Sequence, residues 1–402
     1  MPGLRRALGL PLVLAYGVGV MVGAGIYVLV GAVAAEAGHL AWLAFAIAGI
    51  VAAPTALSFA ELSARIPEAG GAAAYIRAAF DSPALSVVAG VAIVLAGTVS
   101  AAAVLRGGVG YLGVLVPAPD WAMILTIGAA LSALAVWGVV ESLSFAAVLT
   151  VIEVAGLVLI VVSGLLAEPV AAGVVLEGGT QGGAQGAVAL GGLLAAAALA
   201  FFAFIGFEDI VNLAEETRDP ARTIPRAVVG ALILVSVIYA AVAYAATRAV
   251  TAQDLAASEQ PLALVWQAGF GQGVAILTLI AVAAALNGVL AQIVMAARVL
   301  FGLARSSAVF APFAHAHPRF GTPALATLLV GAAMIAAALV LPVATLAGVA
   351  ALVLLAVFIG VNMALLRLKR RPGRAPFHVP RAVPVFGVVA SGAAFLFALS
   401  GG

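Results

Sequence analysis

VGVMVGAGIY, from Val18 to Tyr27, and ALAFFAFIGFEDIVNLAEE, from Ala198 to Glu216, are the two stretches whose reading decides the fold. Each lies inside a long apolar run. In the first, Gly19, Gly23 and Gly25 make a local break in a helix cheap, because glycine carries no Cβ penalty. Gly17 and Gly31 flank them, and close packing between helices would select the same residues. In the second, Gly206 is followed by Glu208, Asp209 and Asn212. Carboxylates deep in a membrane span are costly unless they face protein or water. They mark either a second broken helix or the polar end of an ordinary one. A break at mid-membrane frees backbone N–H and C=O groups, which protein, water or a ligand must then satisfy.

Working outward, 65% of the 402 residues are hydrophobic and 8% are charged. A soluble domain carries about 25% charged residues, so water is the wrong solvent for this chain. The apolar runs are about 20 residues long and do not alternate, which favours helices over a barrel. The predicted spans are roughly 10–35, 41–64, 84–105, 121–140, 144–166, 188–212, 227–247, 271–300, 323–341, 345–366 and 383–400. The third has an alternative end at about Leu115. This is an all-α polytopic protein with about 11 spans and one domain, embedded in a lipid bilayer. With an inside N-terminus, all of the 18 Lys and Arg except Arg106 and Arg248 fall on the cytoplasmic side, so the positive-inside rule is met. That bias explains the pI near 9.2 without a nucleic-acid partner. Arg5 and Arg6 precede an uncleaved first span. With 11 spans the C-terminus lies outside.

The broken spans are the first and the sixth. A repeat of five spans is odd, so the second copy enters the membrane from the opposite side. The expected repeats are about 10–166 and 188–366, with an additional helix at about 383–400. Discontinuous helices at matching positions of two such halves are the best sequence pointer to a transporter site. Half-helix N-termini favour an anionic ligand group and half-helix C-termini a cationic one. A zwitterion suits both.

Three motifs carry a family resemblance over most of the chain. They are Gly19-x-x-x-Gly23-Ala24-Gly25-Ile26-Tyr27, Pro67-Glu68-Ala69-Gly70-Gly71 with Tyr75 after it, and the long run from Phe204 to Ala227. That run contains Gly206-Phe207-Glu208, Asn212, Glu215, Glu216, Arg218, Pro220 and Ile224-Pro225-Arg226. In these the chain resembles the amino acid–polyamine–organocation permeases, nearest their cationic-amino-acid-transporter-like branch. The resemblance implies the inverted five-helix repeat of the leucine transporter, most often with twelve spans. It places a substrate carboxylate at Val22, Gly23, Ala24, Gly25 and Ile26. It places the ammonium near Phe204, Ile205 and Gly206, with Phe207 and Glu208 lining or gating the pocket. Secondary active transport of an amino acid across the cytoplasmic membrane follows, with a polyamine or other organic cation as the alternative substrate.

Coupling is read from departures. The fold's sodium site draws on hydroxyls of the eighth span, and residues 281–287 offer none before Asn287. Proton-coupled relatives carry a fifth-span lysine. Here Glu153 stands at that place, isolated in an apolar run. A carboxyl group that is alternately buried and hydrated could take up and release a proton, so Glu153 is either a coupling residue or a structural acid. Exchange is the other way to drive the cycle. No cysteine and no His-Glu-x-x-His pattern are present, so no cofactor, metal site or enzyme is expected. No continuous polar lining supports a channel. Tyr239 and Tyr244 are expected to pack, Asn287 to bond across helices, and Arg106 to snorkel. Residues 67–80 should form a short interfacial helix, and Glu61 should sit at an interface or against a loop. Four tryptophans, Trp42, Trp121, Trp137 and Trp266, should anchor span ends. The charged run from Glu215 to Arg226 offers ion pairs that would hold an inner gate.

Overall fold

The computed structural model describes residues 8–23, 25–67, 71–113, 115–137, 143–170, 185–306, 308–315, 317, 322–371 and 375–399. Among them the chain is helical. Nine continuous helical stretches are long and apolar enough to cross a membrane, and Leu10–Val22 and Ala324–Val340 are shorter apolar helices. The stretch Gly25–Arg65 is two elements, Gly25–Ala37 and Ala41–Arg65, joined by a 3-10 turn at Gly38–Leu40. Counted by span, the first is Leu10–Val22 plus Gly25–Ala37, and the second is Ala41–Arg65. The third to fifth are Pro83–Leu112, Asp120–Trp137 and Leu143–Leu166. The sixth is Gln185–Phe202 followed by a 3-10 helix, Phe207–Glu216. The seventh to eleventh are Pro220–Ala249, Val274–Ser306, Ala324–Val340, Val343–Leu368 and Ala382–Leu399.

The edges follow local chemistry. Pro83 and Pro220 open their helices at positions where the missing N–H costs nothing. Ser82 caps the third span by accepting the Leu85 N–H at 3.3 Å. The seventh helix therefore starts earlier than its apolar run, and the eighth both begins and ends later than expected. The segment after the second span is the helix Gly71–Phe80, but Gly71, Ala72, Tyr75, Ile76 and Ala79 are buried. One face of it packs into the bundle, where its small residues allow close approach. Residues 68–70 of that motif lie outside the described residues.

The packing repeats with a step of five. Span two lies on seven, three on eight, and four on nine. The half-helix Leu10–Val22 packs on spans seven and five, while Gln185–Phe202 packs on two and ten. Span three meets ten as eight meets five.

The two arginines that break the charge bias have a shared reason. Arg106 Nη1 donates to the Ala338 carbonyl at 2.7 Å, and Arg248 Nη1 donates to those of Gly164 and Ala167 at 2.7 and 2.8 Å. Each cation caps the C-terminal end of another helix, where free carbonyls concentrate negative charge. Arg106 does not merely snorkel. Trp42, Trp121 and Trp137 are exposed, but Trp266 is buried and donates to the Gln272 carbonyl at 2.8 Å.

Spans two, ten and eleven share a saturated polar seam. Asn362 Nδ2 donates to Thr55 Oγ1 at 2.9 Å, and its Oδ1 accepts from Ser58 Oγ at 2.6 Å. Ser391 Oγ lies 3.4 Å from Thr55 Oγ1. At the end of the second span, Glu61 is fully buried. It accepts from Arg65 at 2.7 Å, from Lys369 Nζ at 2.5 Å, and from the Val379 N–H at 2.8 Å. So Glu61 does pack against a loop, but as the hub of an ion cluster.

Candidate functional site

Both suspected breaks are real breaks. The first half-helix stops at Val22, and Gly23 has φ 21°, ψ −151°. Helix resumes at Gly25. In the sixth span, turns at residues 203–206 separate the α-helix from the 3-10 helix. Gly206 has φ 123°, a conformation that only glycine adopts without strain. The other first-span glycines serve packing instead. A Cβ at Gly17 or Gly19 would collide with Ile210 or Thr150, and one at Gly31 with the Leu255 carbonyl. Both sequence readings thus hold, for different glycines.

The breaks touch. A Cβ on Gly206 would come within 2.8 Å of Val20 Cγ1 and 3.2 Å of the Met21 nitrogen. One on Gly25 would lie 3.3 Å from Ala203 Cα. Val22, Ile26, Phe204 and Phe207 are fully buried, and Ile205 and Glu208 nearly so. Ala24 lies outside the described residues. Phe204 sits 5.3 Å from the Tyr239 ring, edge to face. Phe207 packs against Phe59 and Phe358, at 5.9 and 5.2 Å between centroids.

The freed backbone groups are partly answered by protein. Tyr239 Oη lies 2.6 Å from the Met21 carbonyl and 3.0 Å from that of Ala203. One hydroxyl thus spans both breaks, a role beyond the packing expected from sequence. Tyr244 by contrast is exposed. Glu208 folds back on its own turn, its Oε2 accepting the Gly206 N–H at 3.0 Å. Asp209 accepts from Gln292 Nε2 at 3.3 Å.

Glu153 lies beside the first break. Thr150, one turn earlier in the fifth span, abuts Gly19, and Gly288 of the eighth span abuts Gly23 at 3.5 Å from a Cβ position. Glu153 is fully buried. Its Oε1 accepts from Asn287 Nδ2 at 3.2 Å, and its Oε2 has no hydrogen-bond partner among the described residues. Tyr27 Oη donates to the Glu153 carbonyl at 3.2 Å, and Tyr111 Oη to that of Tyr27 at 2.7 Å. Asn287 bonds across helices, as expected. Tyr239, Gln292 and Gly288 gave no sequence signal, since each reads as an ordinary residue of an apolar span.

The amino acid permease family model matches residues 13–400. The chain belongs to that family. It is therefore a multi-pass membrane transporter of the amino acid–polyamine–organocation superfamily, not an enzyme. An uncharacterized transporter of Mycobacterium tuberculosis is 34% identical, over 96% of this chain and 84% of its own. A branched-chain amino acid permease of Bacillus subtilis is 28% identical, over 98% and 87%. The vacuolar cationic amino acid transporter 4 of Arabidopsis thaliana is 29% identical, over 89% and 62%.

Proposed function

We propose that this permease carries an amino acid across the cell membrane by alternating access, with its N-terminus in the cytoplasm and Glu153 carrying a coupling proton. Its inverted repeats run over about 10–166 and 188–366, as the five-step packing pattern supports. Leu10–Val22 and Gln185–Phe202 both end at the crossing and present carbonyls there. Gly25–Ala37 and Phe207–Glu216 both begin there and present N–H groups. A small solute with a carboxylate and an ammonium group can use both sets. Residues 22–26 would take the carboxylate, and residues 204–206 the ammonium, with Phe207 and Glu208 gating. The observation that carries the coupling is buried Glu153 Oε2, next to the first break, which has no hydrogen-bond partner among the described residues. A charge there would lack a good partner, whereas a neutral carboxyl is far cheaper to bury. Opening to either side would hydrate it.

The test is uptake of radiolabelled L-amino acids into proteoliposomes, with and without an inward proton gradient. Wild type should accumulate substrate with the gradient. Glu153→Gln should retain exchange and lose gradient-driven accumulation. Full pH-dependent accumulation in the variant overturns the coupling role. A second reading has observations of its own. The buried carboxylates of Glu208 and Asp209 sit next to the site and favour a cationic amino acid or a diamine. Competition by L-lysine and putrescine against L-leucine separates the two.

A further inference from the structure

The exposed stripe of span ten ends in charge. From Ala344 to Met363 every exposed residue is uncharged, and Met363 itself is 46% exposed. Arg367 follows one turn later on the same exposed stripe. Span eleven has the same form. Phe386 is 54% exposed, and Arg381 stands exposed just before the helix Ala382–Leu399 begins. Residues 367–381 contain Arg367, Lys369, Arg370, Arg371, Arg374 and Arg381, and no acid. Arg374 lies outside the described residues.

The linker ties these two span ends together. Lys369 Nζ turns inward and donates to Glu61 and to the Val379 carbonyl, the latter at 2.6 Å. Arg381 Nη2 donates to the Lys369 carbonyl at 3.3 Å. Glu61 is spent on Lys369 and Arg65. Arg371 pairs with Asp81 at 3.2 Å, in the open. Arg367, Arg370 and Arg381 have no ion-pair partner among the described residues. The Arg367 guanidinium lies over the Phe80 ring, 5.2 Å from its centroid. That contact orients the group without using its N–H donors.

Topology alone calls for cations on this face. It does not call for unpaired arginines gathered where two exposed apolar stripes end. Arg106 and Arg248, at the opposite face, are spent on helix carbonyls. Like charges this close repel one another, and an anion among them relieves the repulsion. A guanidinium group matches a phosphate through two parallel N–H···O bonds. The apolar stripes beside the cluster suit an anion that carries acyl chains.

We propose that Arg367, Arg370 and Arg381 hold the phosphate headgroup of an anionic phospholipid, whose acyl chains lie along spans ten and eleven. The test is native mass spectrometry of the purified full chain, titrated with dioleoyl phosphatidylglycerol or dioleoyl phosphatidylcholine. Wild type should take up the anionic lipid in preference to the zwitterionic one. Each basic residue at a membrane surface is worth about 1 kcal/mol toward an anionic lipid. Arg367→Gln with Arg370→Gln should therefore weaken phosphatidylglycerol binding about thirtyfold and leave phosphatidylcholine unchanged. If that pair does not elute as a monodisperse species, Arg381→Gln carries the test, with an expected loss of about fivefold. Arg222→Gln with Arg226→Gln removes the same charge from the same face, and should leave the affinity within about twofold. An equal loss in this control would mean general surface charge and overturns the proposal. So does a wild type that does not distinguish the two lipids. Glycerol 3-phosphate has the anion without the chains, and its displacing the lipid at equal concentration would also overturn it.

Discussion

Two polar regions of this bundle carry buried carboxylates and treat them in opposite ways. Between spans two, ten and eleven, Glu61 has cations on both oxygens and a backbone N–H besides. Above it, Asn362, Thr55, Ser58 and Ser391 form a closed set of hydrogen bonds. Between spans five, six and eight, among the described residues, Glu153 has one amide and an oxygen without a hydrogen-bond partner, and Asp209 has one long amide contact. The difference lies in how fully the described partners satisfy each buried acid. A saturated buried network loses free energy when it opens, because every partner is left unpaired. A poorly satisfied one gains hydration.

The sharpest way to break that comparison is to unsaturate the saturated seam. Glu61→Ala would leave Lys369 buried beside a span end, its side chain 8% exposed, and would free the Val379 N–H. Removing one partner of a buried pair costs about 3–5 kcal/mol. We expect thermal unfolding in detergent to show a loss on that scale, much larger than for Asp209→Asn. Equal losses at the two sites would erase the distinction between the seams.

Much of this architecture was legible in the sequence. Apolar run length gave the spans, and Gly23 and Gly206 gave the breaks, because only glycine takes their backbone angles cheaply. Glu153 stood out by isolation. What was not legible depends on which helix faces which. Nothing in the local sequence separates Tyr239, which spans both breaks, from Tyr244, which is exposed five residues later. Likewise Glu61 and Glu208 are both acids near span ends, and only their neighbours across the bundle decide that one is an ion-pair hub and the other caps a turn. The form of the sixth span after Gly206 was also missed. Its residues are apolar and polar in an order that fits an α-helix, yet the segment is wound as a 3-10 helix.

Tyr239→Phe sharpens the comparison at the helix breaks at smaller cost. The aromatic contacts with Phe45 and Phe204 remain, at 5.7 and 5.3 Å. Only the hydroxyl between the Met21 and Ala203 carbonyls is lost, and a buried hydrogen bond is worth about 1 kcal/mol net. We expect a small loss of thermal stability and a larger effect on transport, read as a raised KM. The two breaks would no longer hold their carbonyls in register. A variant with wild-type KM would show that the hydroxyl only fills space.

The smallest effect is expected outside both seams. The charged run after the sixth span invites a role in gating, but the Arg222–Asp219 pair is 3.9 Å long, and its side chains are 70% and 55% exposed. The side chains of Glu215 and Glu216 lie outside the described residues. An exposed pair of this length is worth about 0–1 kcal/mol and is screened by salt. Asp219 also lacks any side-chain bond that caps the seventh helix. Asp219→Ala should therefore leave the uptake rate within about twofold of wild type, at low and at physiological salt alike. A salt-dependent loss of rate would mean that the gate is held by solvated charge at the loop.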